Sequence, residues 1–309
     1  MKFNTIKHPS NVLSNGAKAS LQRTLYSIVK GVLLTTSALA TIISSNIQAT
    51  EFDHNYANYD QLLKQVVRVS ENNLQTRVDY QQLNSKNTQL INALSPLSAV
   101  NKSQYDSWSE PQKLSFLINA YNGFTLKLII DNWDEFKRGD AKSIRDLGSL
   151  FTSPWEKEFF VLLGKKRNLD DIEHEMVRKW FKEPRIHGAL VCAAVSCPPL
   201  RNTAFVASKL DAQLDDQMQL FLADSSRNQI LLDGQNAEAS LSSIFKWYRQ
   251  DFEKGDAGFS SLYDVLNRYS DALIKDEKQS TVLKKLINKK DLPISFKDYD
   301  WRLNDVLNF

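Results

Sequence analysis

Cys192 and Cys197 are the two cysteines of the chain, and both lie in one nearly apolar segment. That segment, PRIHGALVCAAVSCPPL, covers residues 184–200 and also contains His187. A cysteine thiolate is a nucleophile for acyl transfer when a histidine acts as its base and another polar group orients that histidine. These residue types therefore indicate a thiol-dependent hydrolase of peptides, amides or esters, provided that the fold brings them together.

His187 and Cys192 do not face each other in any regular element. Two side chains five residues apart point to opposite faces of a strand and pair poorly along a helix. A catalytic site must therefore be assembled from several segments: a cysteine, a histidine, and an asparagine amide as orienter or oxyanion donor. The candidates are Cys192 and Cys197, His187 and His174, and Asn119 and Asn122. The predicted catalytic residues among them are Cys192, Cys197, His187 and Asn119.

A disulfide between the two cysteines is the main alternative to a free nucleophile. The cysteine count is even, and an oxidising compartment favours bonding. A disulfide needs Cα atoms within about 7 Å, whereas a continuous strand at about 3.3 Å per residue would separate these two by roughly 16 Å. The bond therefore requires a turn between Ala193 and Ser196, where alanine and valine are poor turn formers. Buried free thiols are the third possibility.

A non-catalytic ligand-binding or partner-binding module is the alternative function. Asn119 and Asn122 lie on one stripe of an otherwise apolar helix, where buried amides need partners. Arg185 carries a guanidinium that can hold a ligand carboxylate. The predicted binding residues are Asn122, Tyr121, Arg185, His174 and Ser196. The partner would be an unknown small molecule or a cell-envelope component.

The sequence predicts neither a metal nor a cofactor. His174 follows Asp170 and Asp171 at helical spacings of four and three, but two ligands do not make a zinc site, and acids at the start of a helix usually stabilise that helix. The chain has no GxGxxG, P-loop, HExxH or GxSxG motif and no paired-cysteine zinc pattern.

Amphipathic helices are the main elements that must position these residues. Apolar residues recur at steps of three and four in four stretches. These stretches lie near residues 62–69, 90–97, 210–222 and 262–269. A further helix, DDIEHEMVRKWF, begins with Asp170 and Glu173, which can cap it, and ends before Pro184.

One helix should be covered on all sides. In SEPQKLSFLINAYNGFTLKLII, Ser109 and Gln112 fit a capping box, Pro111 lies in the first turn, and apolar residues then occupy nearly every face. We expect this helix to be central, so that its few polar side chains are buried among other elements.

Strand signals are fewer and shorter. EFFVLLGKKRNL predicts a hairpin around Gly164, NQILL is a short apolar run, and ISFKDYDW alternates. The segment from Ile186 to Cys197 suits either a buried strand or a helix. There is no internal repeat and no long linker. The predicted fold class is α+β, predominantly helical with a few short strands, in a single compact domain over residues 50–309.

Residues 1–49 predict a secretory signal peptide. Their charges are all basic, and the uncharged stretch GVLLTTSALATII is too short for the roughly 20 residues of a membrane span. Cleavage removes five of the 39 Lys and Arg and none of the 36 Asp and Glu, so the formal net charge changes from +3 to −2. We therefore predict a secreted or periplasmic protein with no stable membrane span and no nucleic-acid partner.

Several segments together resemble the family catalogued as domain of unknown function 547. They are FLINAYNGFTLKLI, NLDDIEHEMVR, PRIHGALVCAAVSCPPL, SSIFKWYRQDF and YDWRLND, within roughly residues 75–305. The resemblance implies that the central helix, the histidine–cysteine segment and FKWYRQDF belong to one folded unit. It implies no chemistry, because the family has no established activity.

Overall fold

The computed structural model of the protein describes residues 51–149 and 151–308. The signal peptide predicted for residues 1–49 lies outside the described residues. The elements below belong to a compact unit that begins at Phe52. No helix among the described residues is long and apolar enough to cross a membrane.

Helices and one hairpin form the first part of this unit. In chain order they are α1 (Ala57–Val66), β1 (Val67–Val69), β2 (Thr76–Val78), α2 (Tyr80–Ser85), α3 (Asn87–Ala99), α4 (Lys102–Asp106), α5 (Glu110–Asp131) and α6 (Trp133–Arg138). The first helix is shorter than its apolar period predicts, since it ends at Val66 and Val69 lies in β1. Valines at positions 66, 67 and 69 are branched at Cβ and favour extended backbone.

Helix α5 lies at the centre of the first apolar core, as its sequence predicts. The Ser109 hydroxyl accepts the Gln112 backbone N–H, and the Gln112 side chain accepts the Ser109 N–H, which completes the capping box. Side chains on every face of its middle turns are buried, among them Phe116, Leu117 and Ile118. The polar side chains of these middle turns, such as Asn119 and Asn122, therefore face protein rather than solvent.

Short irregular elements follow α5 and carry most of the residues with chemistry. They are 3-10 turns at Ile144–Leu147 and Pro154–Glu156, β3 (Phe160–Leu162), β4 (Lys165–Arg167), a π-helical stretch at Asp171–Val177, α7 (Arg178–Trp180) and a 3-10 turn at Pro184–Gly188. The hairpin predicted around Gly164 is confirmed: Leu162 pairs with Lys165, and Gly164 has a φ of 77° in the turn.

The last part of the chain adds helices and a three-stranded sheet. Its elements are a 3-10 turn at Ala207–Lys209, α8 (Leu210–Ala223), β5 (Gln229–Asp233), β6 (Asn236–Leu241), α9 (Ser243–Trp247), α10 (Arg249–Phe252), a 3-10 turn at Asp256–Gly258, α11 (Leu262–Arg268), α12 (Ser270–Leu273), α13 (Glu277–Lys289), β7 (Ile294–Phe296) and a 3-10 turn at Val306–Asn308. Strands β5 and β6 are antiparallel, and β6 and β7 are parallel. These elements enclose the second apolar core. Because helices dominate and the strands form only small sheets among the described residues, the predicted class, predominantly helical α+β, is confirmed.

The predicted helix DDIEHEMVRKWF differs from expectation in its form and in its cap. Residues Asp171–Val177 are π-helical, and Asp170 makes no side-chain cap. The Asn168 side chain accepts the Asp171 backbone N–H instead, at 2.7 Å. Because asparagine supplies the oxygen that satisfies this N–H, the carboxylates of Asp170 and Glu173 are available to face a cavity. Single π-turns within helices are often found at functional sites.

Candidate functional site

The histidine–cysteine segment is neither a strand nor a long helix. After the 3-10 turn at Pro184–Gly188 its backbone is irregular and hydrogen-bonded to the side chain of Asn122 in α5. The Asn122 amide donates to the carbonyl of Ala189 at 2.9 Å and accepts the N–H of Val191 at 2.9 Å. An irregular buried backbone needs such partners, so the role of Asn122 in this structure is to hold the segment.

Asn119, one turn earlier on α5, does the same for another loop. Its amide donates to the carbonyl of Phe205 at 2.8 Å and accepts the N–H of Phe205 at 3.0 Å. Ser196 also bonds to backbone, because its hydroxyl accepts the N–H of Asp300 at 2.9 Å. The prediction that Asn119 and Asn122 need hydrogen-bond partners is thus confirmed, and those partners are main-chain groups.

Cys192 and Cys197 form a disulfide, with their Cα atoms 6.2 Å apart. The turn that such a bond requires is present: Ala193 adopts a φ of 60°, and the Cys197 N–H donates to the Ala194 carbonyl at 3.1 Å. The left-handed conformation costs a non-glycine residue on the order of 1 kcal/mol. The described residues contain no free cysteine, so they hold neither a free thiol nucleophile nor buried free thiols.

Arg227 holds the carbonyl side of this disulfide loop. Its guanidinium donates to the carbonyl of Cys197 at 2.7 Å and to that of Val195 at 2.8 Å, and it forms an ion pair with Asp224. Burial lowers the pKa of Arg227 to about 10, so the guanidinium remains charged at neutral pH. A buried Arg227–Asp224 ion pair therefore fixes the loop.

A cavity of about 280 Å³ opens beside the disulfide, and Cys192 lines it. Its walls are largely aromatic. Trp247 lies 4.8 Å from Tyr299 and 5.8 Å from Trp301, and Trp155 lies 6.0 Å from Trp301, measured between ring centroids. Trp247 is 48% exposed. A ligand in the cavity would therefore contact exposed ring faces.

Carboxylates form another part of the cavity lining. Asp170 and Glu173 from the π-helical stretch both line it, and the Tyr248 hydroxyl donates to Glu173 Oε1 at 2.5 Å. Burial raises the pKa of Asp170, and His174 Nε2 lies 3.7 Å from Asp170 Oδ1. Burial also raises the pKa of Tyr121, another lining residue close to Glu173. The cavity thus joins acidic and aromatic surfaces.

His187 is paired with Asp251, a residue of α10. His187 Nε2 lies 2.9 Å from Asp251 Oδ2, and the imidazole stacks on Tyr248 at 3.9 Å. Burial opposes ionisation of Asp251, but hydrogen bonds from His187, Arg178 and Lys254 outweigh it and hold the pKa well below its usual range. Burial lowers the pKa of His187 despite that hydrogen bond.

This pairing sets the tautomer of His187. A neutral imidazole beside an ionised carboxylate carries its proton on the nitrogen that contacts the carboxylate, which here is Nε2. The Nδ1 lone pair is then the remaining basic position of a histidine that lines the cavity. Asp251 and His187 therefore form an orienter and base pair of the kind used in acyl-transfer sites.

Arg185 belongs to a different environment. Its guanidinium donates to Glu183 at 2.6 Å and 2.8 Å, to Asp211 at 2.7 Å and to Asp215 at 3.0 Å. Burial disfavours its charge, yet these carboxylates outweigh burial and raise its pKa. Arg185 lines a second cavity, of about 470 Å³. Because three carboxylates already share its N–H groups, little capacity remains for a ligand carboxylate.

The first cavity brings together some of the predicted residues and leaves out others. The predicted residues that line it are Cys192, His187, His174 and Tyr121. Those that do not are Cys197, Asn119, Asn122, Arg185 and Ser196. Asp251, Glu173 and Tyr299 were not among the predicted site residues, and FKWYRQDF, which includes Trp247, suited either ligand stacking or a core. The only signal for Asp251 and Trp247 was the motif FKWYRQDF, whose aromatic residues also suit a core.

Metal-ion chemistry receives no support from the side-chain arrangement. Over residues 51–149 and 151–308, no group of three or more His, Cys, Asp and Glu side chains is placed to hold a metal ion.

Residues 105–222 match the family model described as protein of unknown function, DUF547. This part of the chain is therefore similar to the DUF547 family. No curated protein and no solved structure matches the chain. The family resemblance is therefore confirmed for the central helix and the histidine–cysteine segment. The matched residues include His187 and Cys192, whereas the lining residues Trp247 and Tyr299 lie after the match, so the cavity combines residues from inside and outside it.

Proposed function

We propose that this protein binds a small organic cation in the cavity beside the disulfide. The observation that carries the proposal is the combination of aromatic faces with the carboxylates of Asp170 and Glu173. Among the described residues that line the cavity there is no lysine and no arginine. A cation over the face of a tryptophan or tyrosine is stabilised by about 0.5–2 kcal/mol, so the lining favours positively charged ligands.

The burial of Asp170 and the size of the cavity support the same class of ligand. Asp170 is partly buried, and this burial raises its pKa. A desolvated carboxylate gains more from a nearby positive charge than one in water. A cavity of about 280 Å³ is at the lower limit for small-molecule sites. The ligand would therefore be about the size of a substituted ammonium ion.

We also propose that the protein is exported to the periplasm or the outside of the cell. The basic and apolar character of residues 1–49 supports export. The Cys192–Cys197 disulfide is in keeping with an oxidising compartment. The ligand would then be an unidentified small molecule or a cell-envelope component met there.

The test compares choline with its neutral isostere 3,3-dimethylbutan-1-ol, using NMR or tryptophan fluorescence titration of the full chain. We expect choline to perturb signals of Trp247 and Tyr299 at concentrations where the isostere has little effect. Equal responses to the two compounds would refute the proposed charge selectivity. Failure of methylammonium, tetramethylammonium and choline alike to bind would refute the proposal as a whole.

Acyl transfer by the reduced protein is a second candidate function. The observation that favours it is that Cys192 lines the same cavity as His187, whose Nε2 is held by Asp251 at 2.9 Å. Once the disulfide is reduced, Cys192 would supply the nucleophile, His187 the base and Asp251 the orienting carboxylate. Ester hydrolysis by the reduced protein should then be lost in Cys192→Ala and retained in Cys197→Ala. Equal rates in these two variants would exclude Cys192 as the nucleophile.

A further inference from the structure

We propose that the Cys192–Cys197 disulfide is a thiol–disulfide exchange site, in which an external thiolate attacks Cys192 Sγ and Cys197 leaves as a thiolate. This activity is distinct from ligand binding and from acyl transfer. It rests on an asymmetry between the two sulfur atoms in their access to solvent and in their hydrogen bonding.

Access favours attack on Cys192. Cys192 is partly exposed and lines the open cavity, whereas Cys197 is 1% exposed and belongs to the first apolar core. An attacking thiolate must approach the sulfur atom directly. In the folded protein, an external thiol that enters the cavity can therefore reach Cys192 but not Cys197.

Hydrogen bonding favours Cys197 as the leaving group. Its sulfur lies 3.1 Å from the backbone nitrogen of Cys192 and 3.2 Å from that of Ala194. The Tyr299 hydroxyl lies 3.3 Å from the same sulfur and 3.2 Å from Cys192 Sγ. Because bonded cysteines carry no proton, Tyr299 is the donor in both contacts. Burial raises the pKa of Tyr299, so this hydroxyl keeps its proton.

These donors matter most after the sulfur–sulfur bond breaks. Two backbone N–H groups and one hydroxyl would then surround a thiolate, and such donors lower the pKa of a thiol. Thiol–disulfide exchange is faster when the leaving thiol has a lower pKa. The buried guanidinium of Arg227, which is paired with Asp224, donates to the Cys197 carbonyl at 2.7 Å and fixes the position of this cysteine.

The exchange balances in two steps. A thiolate R–S⁻ attacks Cys192 Sγ, a mixed disulfide R–S–S–Cys192 forms, and the electron pair of the broken bond goes to Cys197. A second thiolate attacks the R sulfur, releases R–S–S–R and leaves Cys192 as a thiolate. Two external thiols are oxidised, the protein disulfide is reduced, and the two protons of those thiols pass to the cysteines or to solvent.

The cavity lining also indicates which thiols react best. A thiol that carries a positive charge would be drawn to Asp170 and Glu173, and an anionic thiol would be repelled. This preference rests on the proposed cation binding, whereas the position of attack does not. The two ideas can therefore fail separately.

The first experiment identifies the sulfur that is attacked. The native full chain is mixed with excess cysteamine, quenched rapidly with iodoacetamide and mapped by peptide mass spectrometry. We expect early molecules to carry cysteamine on Cys192 and the alkyl group on Cys197. Cysteamine mainly on Cys197, or reduction that occurs only as fast as the protein unfolds, would overturn the proposal.

A matched pair of tyrosine variants tests the leaving group. Tyr299→Phe removes the hydroxyl donor and keeps the ring, so reduction should be about tenfold slower, the effect of losing one hydrogen bond to a charged group. Tyr263→Phe is the control, because the Tyr263 hydroxyl bonds to the Leu292 carbonyl at 3.1 Å and touches neither sulfur. Equal reduction rates in the two variants would exclude Tyr299 from the exchange step.

A charge comparison separates this proposal from the proposed function. Rates are measured with cysteamine and with 3-mercaptopropionate, each corrected for its thiolate fraction, in the wild-type protein and in Asp170→Asn. A cysteamine preference that falls in the variant supports both ideas. Attack at Cys192 without a charge preference supports exchange and contradicts cation binding. If the protein binds choline but cysteamine does not attack Cys192, exchange alone is overturned.

Discussion

Arg185 and His187 are two residues apart in the same 3-10 turn, yet their surroundings differ sharply. Arg185 is 5% exposed and His187 is 3% exposed, and both lie beside cavities. Arg185 is surrounded by three carboxylates that use its N–H groups. His187 has one carboxylate partner on Nε2 and keeps a second ring nitrogen. A buried ionisable group is a candidate for function when part of its bonding capacity remains unused.

Replacement of Arg185 should have the largest effect on stability. Arg185→Ala removes the cation that Glu183, Asp211 and Asp215 share, and Asp215 alone keeps another, Arg268 at 3.2 Å. We therefore expect the free energy of unfolding to fall by about 3 kcal/mol. Urea denaturation followed by circular dichroism measures this. The matched control is Asp211→Asn, because the Asp211 side chain is 88% exposed. That change should cost less than about 1 kcal/mol, and equal losses in both variants would contradict a structural role for Arg185.

Replacement of Asp251 should have the next largest effect, and this effect depends on pH. Asp251→Asn weakens charged hydrogen bonds to Arg178 and His187, so we expect a loss of about 2 kcal/mol at pH 7. The pKa of folded Asp251 is lowered, so its contribution is present above the unfolded value of about 3.9 and is lost as the pH falls below that value. The stability of wild type and variant should therefore converge in acid. A difference that stays constant down to pH 2 would contradict the lowered pKa.

Replacement of His187 should have a smaller effect in a different pH window. Burial lowers the pKa of folded His187, so the unfolded chain binds a proton below about pH 6.5 that the folded protein does not bind. The wild-type protein should therefore lose stability as the pH falls through 6.5, and His187→Gln should lose less over the same range. Denaturation between pH 5 and 8 measures the two slopes. Identical slopes would show that His187 is protonated as readily in the folded protein as in the unfolded chain.

Local features of the fold were predictable because neighbouring residues determine them. Ser109 and Gln112 cap the central helix by contacts three residues apart. Gly164 adopts the positive φ that its hairpin turn requires. The need of Asn119 and Asn122 for partners also followed from apolar surroundings. Their actual partners, the backbones of Phe205 and of the histidine–cysteine segment, depend on how distant segments pack.

The site itself was less predictable for the same reason. Asp251 is 64 residues after His187 in sequence, and Tyr299 is 107 residues after Cys192, so no spacing rule relates them. The disulfide requires a left-handed Ala193, a conformation that alanine propensity does not favour. That turn is held from outside by Arg227 and by the Asn304 N–H, which donates to the Ala193 carbonyl at 3.0 Å.

The two cavities offer one direct test, because each contains a half-exposed tryptophan. Trp247 lines the acidic and aromatic cavity and is 48% exposed, and Trp180 lines the cavity of Arg185 and is 43% exposed. Choline affinity should be measured by calorimetry in Trp247→Ala and Trp180→Ala. We predict that Trp247→Ala weakens binding about tenfold, in line with the loss of a cation–π contact, while Trp180→Ala leaves it unchanged. Equal affinity in the two variants, or a larger loss in Trp180→Ala, would contradict the assignment of function to the cavity beside the disulfide.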